Sequence, residues 1–257
     1  MLAIERHEAI LRLLSESGSA MVSDLSEKLA VTEETIRRDL VKLETDNKLR
    51  RVHGGAYLPL HETGAVPASL RRRFFVGEKR RMAKACLPLI KEHDSIMLDS
   101  STTALVLAQT LKEAKRNVTL ITNSFDIIQT LGPCPFIQIL ALGGRFRNET
   151  SSFYGYLTLE TLKQYHADFA FLSCACVHLD FGATDHIEGE ALIRSTMLKQ
   201  AKTTVLISDH TKLDRVATYK ISPLEHAHYF ITDKTLAPNW SDYFSNLSTQ
   251  VIIADKE

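Results

Sequence analysis

Four clusters of small polar residues each close a short apolar run of the chain. They are Asp99-Ser100-Ser101-Thr102-Thr103, Thr122-Asn123-Ser124, Gly143-Gly144-Arg145 and Asp209-His210-Thr211-Lys212. Hydroxyls and free N–H groups at a helix start hold anions, phosphate above all, and glycine lets backbone approach a ligand closely. Any one cluster could be no more than a helix cap, where Ser and Thr are common. Four of them at equivalent places in one pattern are expected to line one binding site. A second set of residues is cationic. On a helix read from Thr32, Arg38, Lys42 and Thr45 fall on one side and Ile36, Leu40 and Leu43 on the other. Arginine suits guanine O6 and N7 but also binds phosphate.

The elements that must carry these residues can be read from spacing. Residues 3–16 form a helix with Ile4, Ile10, Leu11, Leu13 and Leu14 as its apolar stripe, ended by Gly18. A short helix follows over 23–29, then a turn, then the cationic helix to about Asp46 with Asn47 as a left-handed cap. Leu49 to Val52 and Ala56 to Leu58 are two strands around His53-Gly54-Gly55. A helix pair with outward Arg and Lys, followed by a basic hairpin, is the winged helix-turn-helix arrangement for double-stranded DNA. On it Thr35 can donate to a phosphate, and Arg37 lies on the flank, to meet a phosphate or Asp39. Arg50, Arg51 and His53 reach the backbone or the minor groove.

From residue 95 the pattern changes. SIMLD, VTLIT, FIQILAL, FAFLSCACV, TVLISD, YFITD and QVIIAD are apolar runs, with helical stretches at 102–112, 124–131, 156–165, 188–201 and 238–246 between them. Apolar strands alternating with helices imply a mostly parallel, Rossmann-like α/β sheet covered on both faces. Ligands of such sheets sit beyond the C-terminal strand ends, where the strand order reverses. The expected organisation is a DNA-binding domain over 1–58, a linker over 59–77 and an effector-binding domain over 78–257.

The chain of 257 residues is 44% hydrophobic and 24% charged, so it should fold around real cores. No run is long enough to span a membrane and no signal peptide is evident, which points to the cytoplasm. Net charge is zero, but residues 71–84 hold seven Lys or Arg against Glu78 alone, and local patches are what attract phosphate. Residues 71–84 could be a basic linker, with Arg71 to Arg73 lying along DNA, or the start of a helix, the first of the second domain, beginning near Glu78. Four cysteines make no disulfide framework. Cys174, Cys176 and His178, on one side if that run is a strand, invite comparison with zinc ligands. Buried cysteines in a core strand are the simpler reading, and no metal or cofactor is expected.

Residues 1–58 resemble the DNA-binding domain of the DeoR-type family of bacterial transcriptional repressors. The matching positions are Arg6, Ile10, Leu14, Thr32, the run Thr35-Ile36-Arg37-Arg38-Asp39-Leu40, and RVHGGA at 51–56. Residues 78–235 resemble the effector domain of the same family, which is similar in fold to sugar-phosphate isomerases and senses phosphorylated sugars. The matching pieces are DSSTT at 99–103, TNS at 122–124, GGR at 143–145, Glu190-Ala191, and Asp209 with Lys212. The resemblance implies that Ser100 to Thr103 and Thr122 to Ser124 hold phosphate and hydroxyls, that Lys212 pairs with phosphate, and that Asp99 or Glu190 accepts from sugar hydroxyls. One departure stands out: a glycine-rich turn before Ile-Asp is replaced by Cys174-Ala175-Cys176-Val177-His178. The function this implies is a homodimeric or homotetrameric repressor of a sugar-catabolism operon. The alternative is an isomerase-like enzyme using Asp99, Glu190, Asp209 and Lys212, with accessory DNA binding.

Overall fold

The structure, a computed structural model, describes residues 2–58 and 66–255. The chain divides into two compact units, Met1–Phe74 and Phe75–Glu257. No helix among the described residues is long and apolar enough to cross a membrane.

The first unit runs α1 (Ala3–Ser17), β1 (Ser19–Met21), α2 (Val22–Leu29), α3 (Glu33–Thr45), β2 (Arg50–Val52), β3 (Gly55–Tyr57) and α4 (Ala68–Arg73). Ile10 and Leu14 of α1, Leu25 of α2, and Ile36, Leu40 and Leu43 of α3 are buried together. Burial of such a stripe is what holds three short helices that would not form alone. Thr32 caps α3, accepting from the Thr35 N–H at 3.3 Å. Asn47 takes the left-handed conformation at φ 56° and closes it. The hairpin gains a strand that sequence reading missed: β1 pairs antiparallel with β3, giving the order β1-β3-β2. A side chain at Gly55 would meet the Ala20 carbonyl at 2.6 Å, so the third strand is what requires glycine there.

Three expectations for this unit change. Ile4 is 74% exposed, because it lies in the first turn of α1 beyond the reach of the other helices. Arg37 pairs with Glu33, not Asp39, since residues two apart point to different sides of a helix. Asp39 is buried and accepts from Arg6 Nε at 2.5 Å, Arg6 Nη2 at 3.0 Å and His7 Nε2 at 3.0 Å, which ties α3 to α1. Of the expected linker, residues 59–65 lie outside the described residues. Ala68–Arg73 is helical, with Arg73 paired to Asp24 of α2, so this segment is held by the first unit.

Burial works to raise the Asp39 carboxyl, but bonds and charge from Arg6 and His7 outweigh it and hold the group below the usual range. Its contribution to stability is therefore present above its unfolded pKa, about 3.9, and is lost as pH falls through the lower folded value. Asp39→Ala removes the buried carboxylate that Arg6 and His7 share and is expected to destabilise the first unit by about 3 kcal/mol at pH 7, measured as a fall in the urea midpoint. The deficit should shrink toward pH 3.

The second unit contains α5 (Val76–Cys86), β4 (Ser95–Leu98), α6 (Thr102–Glu113), β5 (Val118–Thr122), α7 (Phe125–Leu131), β6 (Ile137–Ala141), β7 (Arg145–Arg147), β8 (Ser152–Tyr154) and α8 (Tyr156–Leu162). It continues through β9 (Ala167–Leu172), β10 (Cys176–His178), β11 (Gly182–Asp185), α9 (Glu188–Lys199), β12 (Ala201–Ile207), β13 (Tyr219–Ser222), β14 (Tyr229–Thr232), α10 (Pro238–Ser245) and β15 (Gln250–Ile253). The seven apolar runs form one parallel sheet in the order β15-β14-β12-β9-β4-β5-β6. Successive residues of a strand face opposite sides. Thus Ile96 and Leu98 join the core with α5, α6 and α7, while Met97 joins that with α8 and α9. From β4 the chain winds outward through β5 and β6, then returns to β9 and winds the other way. The order reverses between β4 and β9.

FAFLSCACV is not one strand. β9 ends at Leu172, and Cys176 begins β10, which pairs antiparallel with β11 in a separate sheet, β10-β11-β13. The chain leaves the main sheet at Ser173, so Cys174 and His178 do not share a strand.

Candidate nucleic-acid interface and strand-end crevice

The cationic face of α3 is built as its spacing predicts. Arg37, Arg38, Lys42 and Thr45 are exposed and Thr35 is half-buried, while the opposite stripe is fully buried. Arg37 and Arg38 each hold a glutamate one turn earlier, Glu33 and Glu34, the latter at 3.2 Å. Exposed pairs of this kind contribute about 0.3–0.5 kcal/mol. A good bidentate base contact contributes about 1–3 kcal/mol, so an approaching duplex can draw both guanidinium groups away. Thr45 donates to the Val41 carbonyl at 3.0 Å, which leaves its oxygen able to accept. On the wing Arg50, Arg51 and His53 are exposed. Arg51 is braced by Glu44, to which it donates from its backbone N–H at 2.8 Å and from Nε at 2.6 Å. Those bonds, the backbone one first, hold the Glu44 carboxyl below its ordinary range. Arg50 carries no such brace in the hydrogen bonds seen and is the freer of the two.

In the second unit, Asp99, Ser100, Ser101, Thr102 and Thr103 follow β4 and are all buried. Ser101 caps α6, accepting from the Ala104 N–H at 3.0 Å and donating to Asp99 Oδ1 at 2.7 Å. Asp99 also receives Arg194 Nε of α9 at 2.5 Å. Arg194 reaches further, to Asp185 Oδ2 at 2.8 Å and Glu190 Oε2 at 3.2 Å. Glu190 accepts Ser100 Oγ at 2.6 Å and Ser152 Oγ at 3.0 Å. One buried guanidinium thus joins three carboxylates across the β4–β9 reversal. Burial pushes the Asp99 carboxyl up, against the pull of Arg194. For Arg194, burial opposes the charge but the three carboxylates outweigh it, and the side chain is held charged.

The other expected residues divide. Thr122 donates to the Leu98 carbonyl at 2.7 Å, and Ser124 caps α7. Asn123, fully buried, donates from Nδ2 to the Phe153 carbonyl at 2.9 Å. Asp209 caps the turn His210–Lys212 by accepting from the Thr211 N–H at 3.0 Å. Lys212 is half-buried and lies close enough to Cys174 and Cys176 for its charge to act on both thiols. Burial nonetheless pushes the Cys174 thiol well up, away from the thiolate form. Gly143 and Gly144 serve packing: Gly143 accepts from Thr158 Oγ1 at 2.8 Å, and a side chain on Gly144 would meet that oxygen at 2.2 Å. The close approach that Gly144 allows is to α8. Arg145 is exposed beside a cavity of about 370 Å³ lined by Tyr154, Gly155, Tyr156 and Leu157.

Five buried polar atoms among the described residues lack a hydrogen-bond partner: Asn123 Oδ1, Arg147 Nη1, Ser208 Oγ, Thr232 Oγ1 and Gln200 Oε1. Three of them, on Asn123, Ser208 and Thr232, sit where strands of the main sheet end, and leaving such an atom unmet costs about 1–3 kcal/mol. These three lie on the edge beyond which ligands of such sheets sit. Sequence reading missed Arg147, Ser152, Asp185 and Arg194. Arg194 alone carried a signal, a charged pair with Glu190 four residues apart on a helix whose Ile193 and Met197 are core. No cluster of three His, Cys, Asp or Glu side chains is placed to hold a metal among the described residues, and Cys176 Sγ lies 4.0 Å from His186 Nε2.

Family models match on both units: "DeoR C terminal sensor domain" over residues 75–234 and "DeoR-like helix-turn-helix domain" over residues 6–61. An uncharacterized HTH-type transcriptional regulator of Bacillus subtilis, YulB, is 35% identical over 93% of this chain and 92% of its own. The HTH-type transcriptional repressor GlcR of the same organism is 30% identical over 98% and 97%. The lactose phosphotransferase system repressor of Lactococcus lactis is 33% identical over 95% and 96%. Among solved structures, a ribose 5-phosphate isomerase from Methanocaldococcus jannaschii aligns at TM-score 0.38 and 20% identity, over 52% of this chain and 53% of that one, a likeness too slight to carry weight.

Proposed function

We infer function from family outward: the chain belongs to the DeoR family, with that family's helix-turn-helix and sensor domains on its two compact units. It is a DNA-binding transcriptional regulator, and we propose that it represses a sugar-catabolism operon under the control of a phosphorylated sugar. The observation that carries the sensor assignment is the set of unmet buried polar atoms where strands of the main sheet end. The phosphate is assigned to the start of α6 and to Lys212, the hydroxyls to the Asn123 side. The first unit holds the operator through Thr35, Arg37, Arg38, Lys42, Thr45, Arg50, Arg51 and His53. Two recognition helices are needed to read a repeated half-site, so the working form is a homodimer or homotetramer. Control requires that the sugar phosphate bind the DNA-competent and incompetent states unequally.

We assign no catalysis. Asp99 and Glu190 are occupied by Arg194 and by serine hydroxyls, and Asp209 by its own turn, which leaves none of these three poised to take a proton from a substrate. Thermal melting of the full chain against phosphorylated sugars and their unphosphorylated parents tests the reading. A ligand at 100 times its Kd stabilises by about 2.7 kcal/mol, a shift of roughly 5–10 °C in a unit of this size. A phosphosugar should give that shift and its parent should not. A shift from parents alone, or turnover of a sugar phosphate, contradicts it.

A further inference from the structure

Arg147 ends β7 and lies opposite Ser152 of β8. Its guanidinium carbon stands 4.1 Å from the centre of the Tyr154 ring, a cation–π contact that fixes the plane. Nη1 is buried without a hydrogen bond, and Glu190 Oε1, at 3.9 Å, attracts it but is too far to accept from it. Asn123 borders the same strand. Its backbone carbonyl accepts from the Phe153 N–H at 2.8 Å, and its Nδ2 donates to the Phe153 carbonyl at 2.9 Å. Only an NH2 group can make that second bond, so the orphaned buried atom is the amide oxygen. On either side of β8 there is therefore one donor that needs an acceptor and one acceptor that needs a donor.

We propose that Arg147 and Asn123 read hydroxyls of the bound sugar, with Arg147 Nη1 donating to a hydroxyl oxygen and Asn123 Oδ1 accepting a hydroxyl proton. The assignment rests on the sugar-phosphate reading above and says which end of the ligand lies here. A phosphate dianion has no proton to give Asn123. A hydroxyl can accept from Nη1 and a hydroxyl can donate to Oδ1. Arg147 is thus a specificity-determining residue: a sugar lacking the hydroxyl that it meets leaves a buried donor unmet, the kind of mismatch that discriminates most sharply.

The test is thermal melting of the full chain and of Arg147→Met with pentose 5-phosphates, hexose 6-phosphates and inorganic phosphate. For whichever phosphosugar stabilises the wild type, Arg147→Met should weaken affinity at least tenfold while any response to inorganic phosphate is unchanged. Arg147→Lys, which keeps a charge beside Glu190 and guards against misfolding, should also lose affinity, because an ammonium does not reproduce the planar donor. Retention of wild-type affinity in both variants overturns the assignment. So does selective loss of the inorganic phosphate response, which would put the phosphate at Arg147. If no phosphosugar stabilises the wild type, the sugar-phosphate reading itself fails and this one falls with it.

Discussion

Arg194→Met is expected to destabilise the second unit by about 3–5 kcal/mol at pH 7, the usual cost of removing one partner from a buried ionic cluster. Methionine keeps most of the volume, so the loss is one of charge. Asp99, Asp185 and Glu190 are left facing one another, with Arg147 3.9 Å from Glu190. The Asp99 carboxyl, which burial already pushes up, then loses the charge that holds it down. A group raised in this way favours folding below its unfolded pKa, and that contribution is lost as pH rises through the folded value. The variant should therefore lie nearest the wild type close to pH 4 to 5 and fall away toward pH 7. Urea midpoints at the two ends of that range measure it. A gap that is constant, or wider in acid, would show that Arg194 contributes packing and not charge balance.

The double substitution Arg38→Ala/Lys42→Ala should lower affinity for the operator about a hundredfold or more, since each side chain that reaches the duplex contributes about 1–3 kcal/mol. Both side chains are exposed and outside the core of the first unit, so the melting temperature should hardly move. The salt dependence is the sharper readout. Removing a cation that neutralises one phosphate reduces the slope of log affinity against log salt by roughly 0.9. If Arg38 reads a base and Lys42 a phosphate, the slope falls by about one and sequence preference weakens as well. Unchanged affinity would mean that α3 is not the recognition helix.

Much of the fold was legible because apolar spacing reports burial directly. Ile36, Leu40 and Leu43 gave α3 its orientation, and seven apolar runs became seven neighbouring strands. What escaped were elements whose partners are distant or whose residues are not apolar. β11, Gly-Ala-Thr-Asp, carries no hydrophobic run and exists because β10 and β13 flank it. Asp39 finds its partner 33 residues earlier, at Arg6, a pairing that helix spacing cannot show. At the crevice the hydroxyl-rich strand ends were visible, but not their division of labour. Ser101, Ser124 and Asp209 are taken up by caps, whereas Asn123 keeps an unmet oxygen. Arg194 was not singled out in the sequence because its three carboxylate partners come from a strand end, from β11 and from its own helix.

The central claim is that one chain joins operator binding to recognition of a sugar phosphate. The most direct test is to select duplexes from random DNA with the full chain, then titrate the chain onto the selected sequence with and without the phosphosugar that stabilises it. The account predicts tight, salt-sensitive binding to the selected duplex, much weaker binding to random DNA, and a change of at least tenfold in apparent Kd caused by the phosphosugar and not by its parent. Equal affinity for selected and random DNA, or operator affinity indifferent to a phosphosugar that demonstrably stabilises the protein, would contradict it.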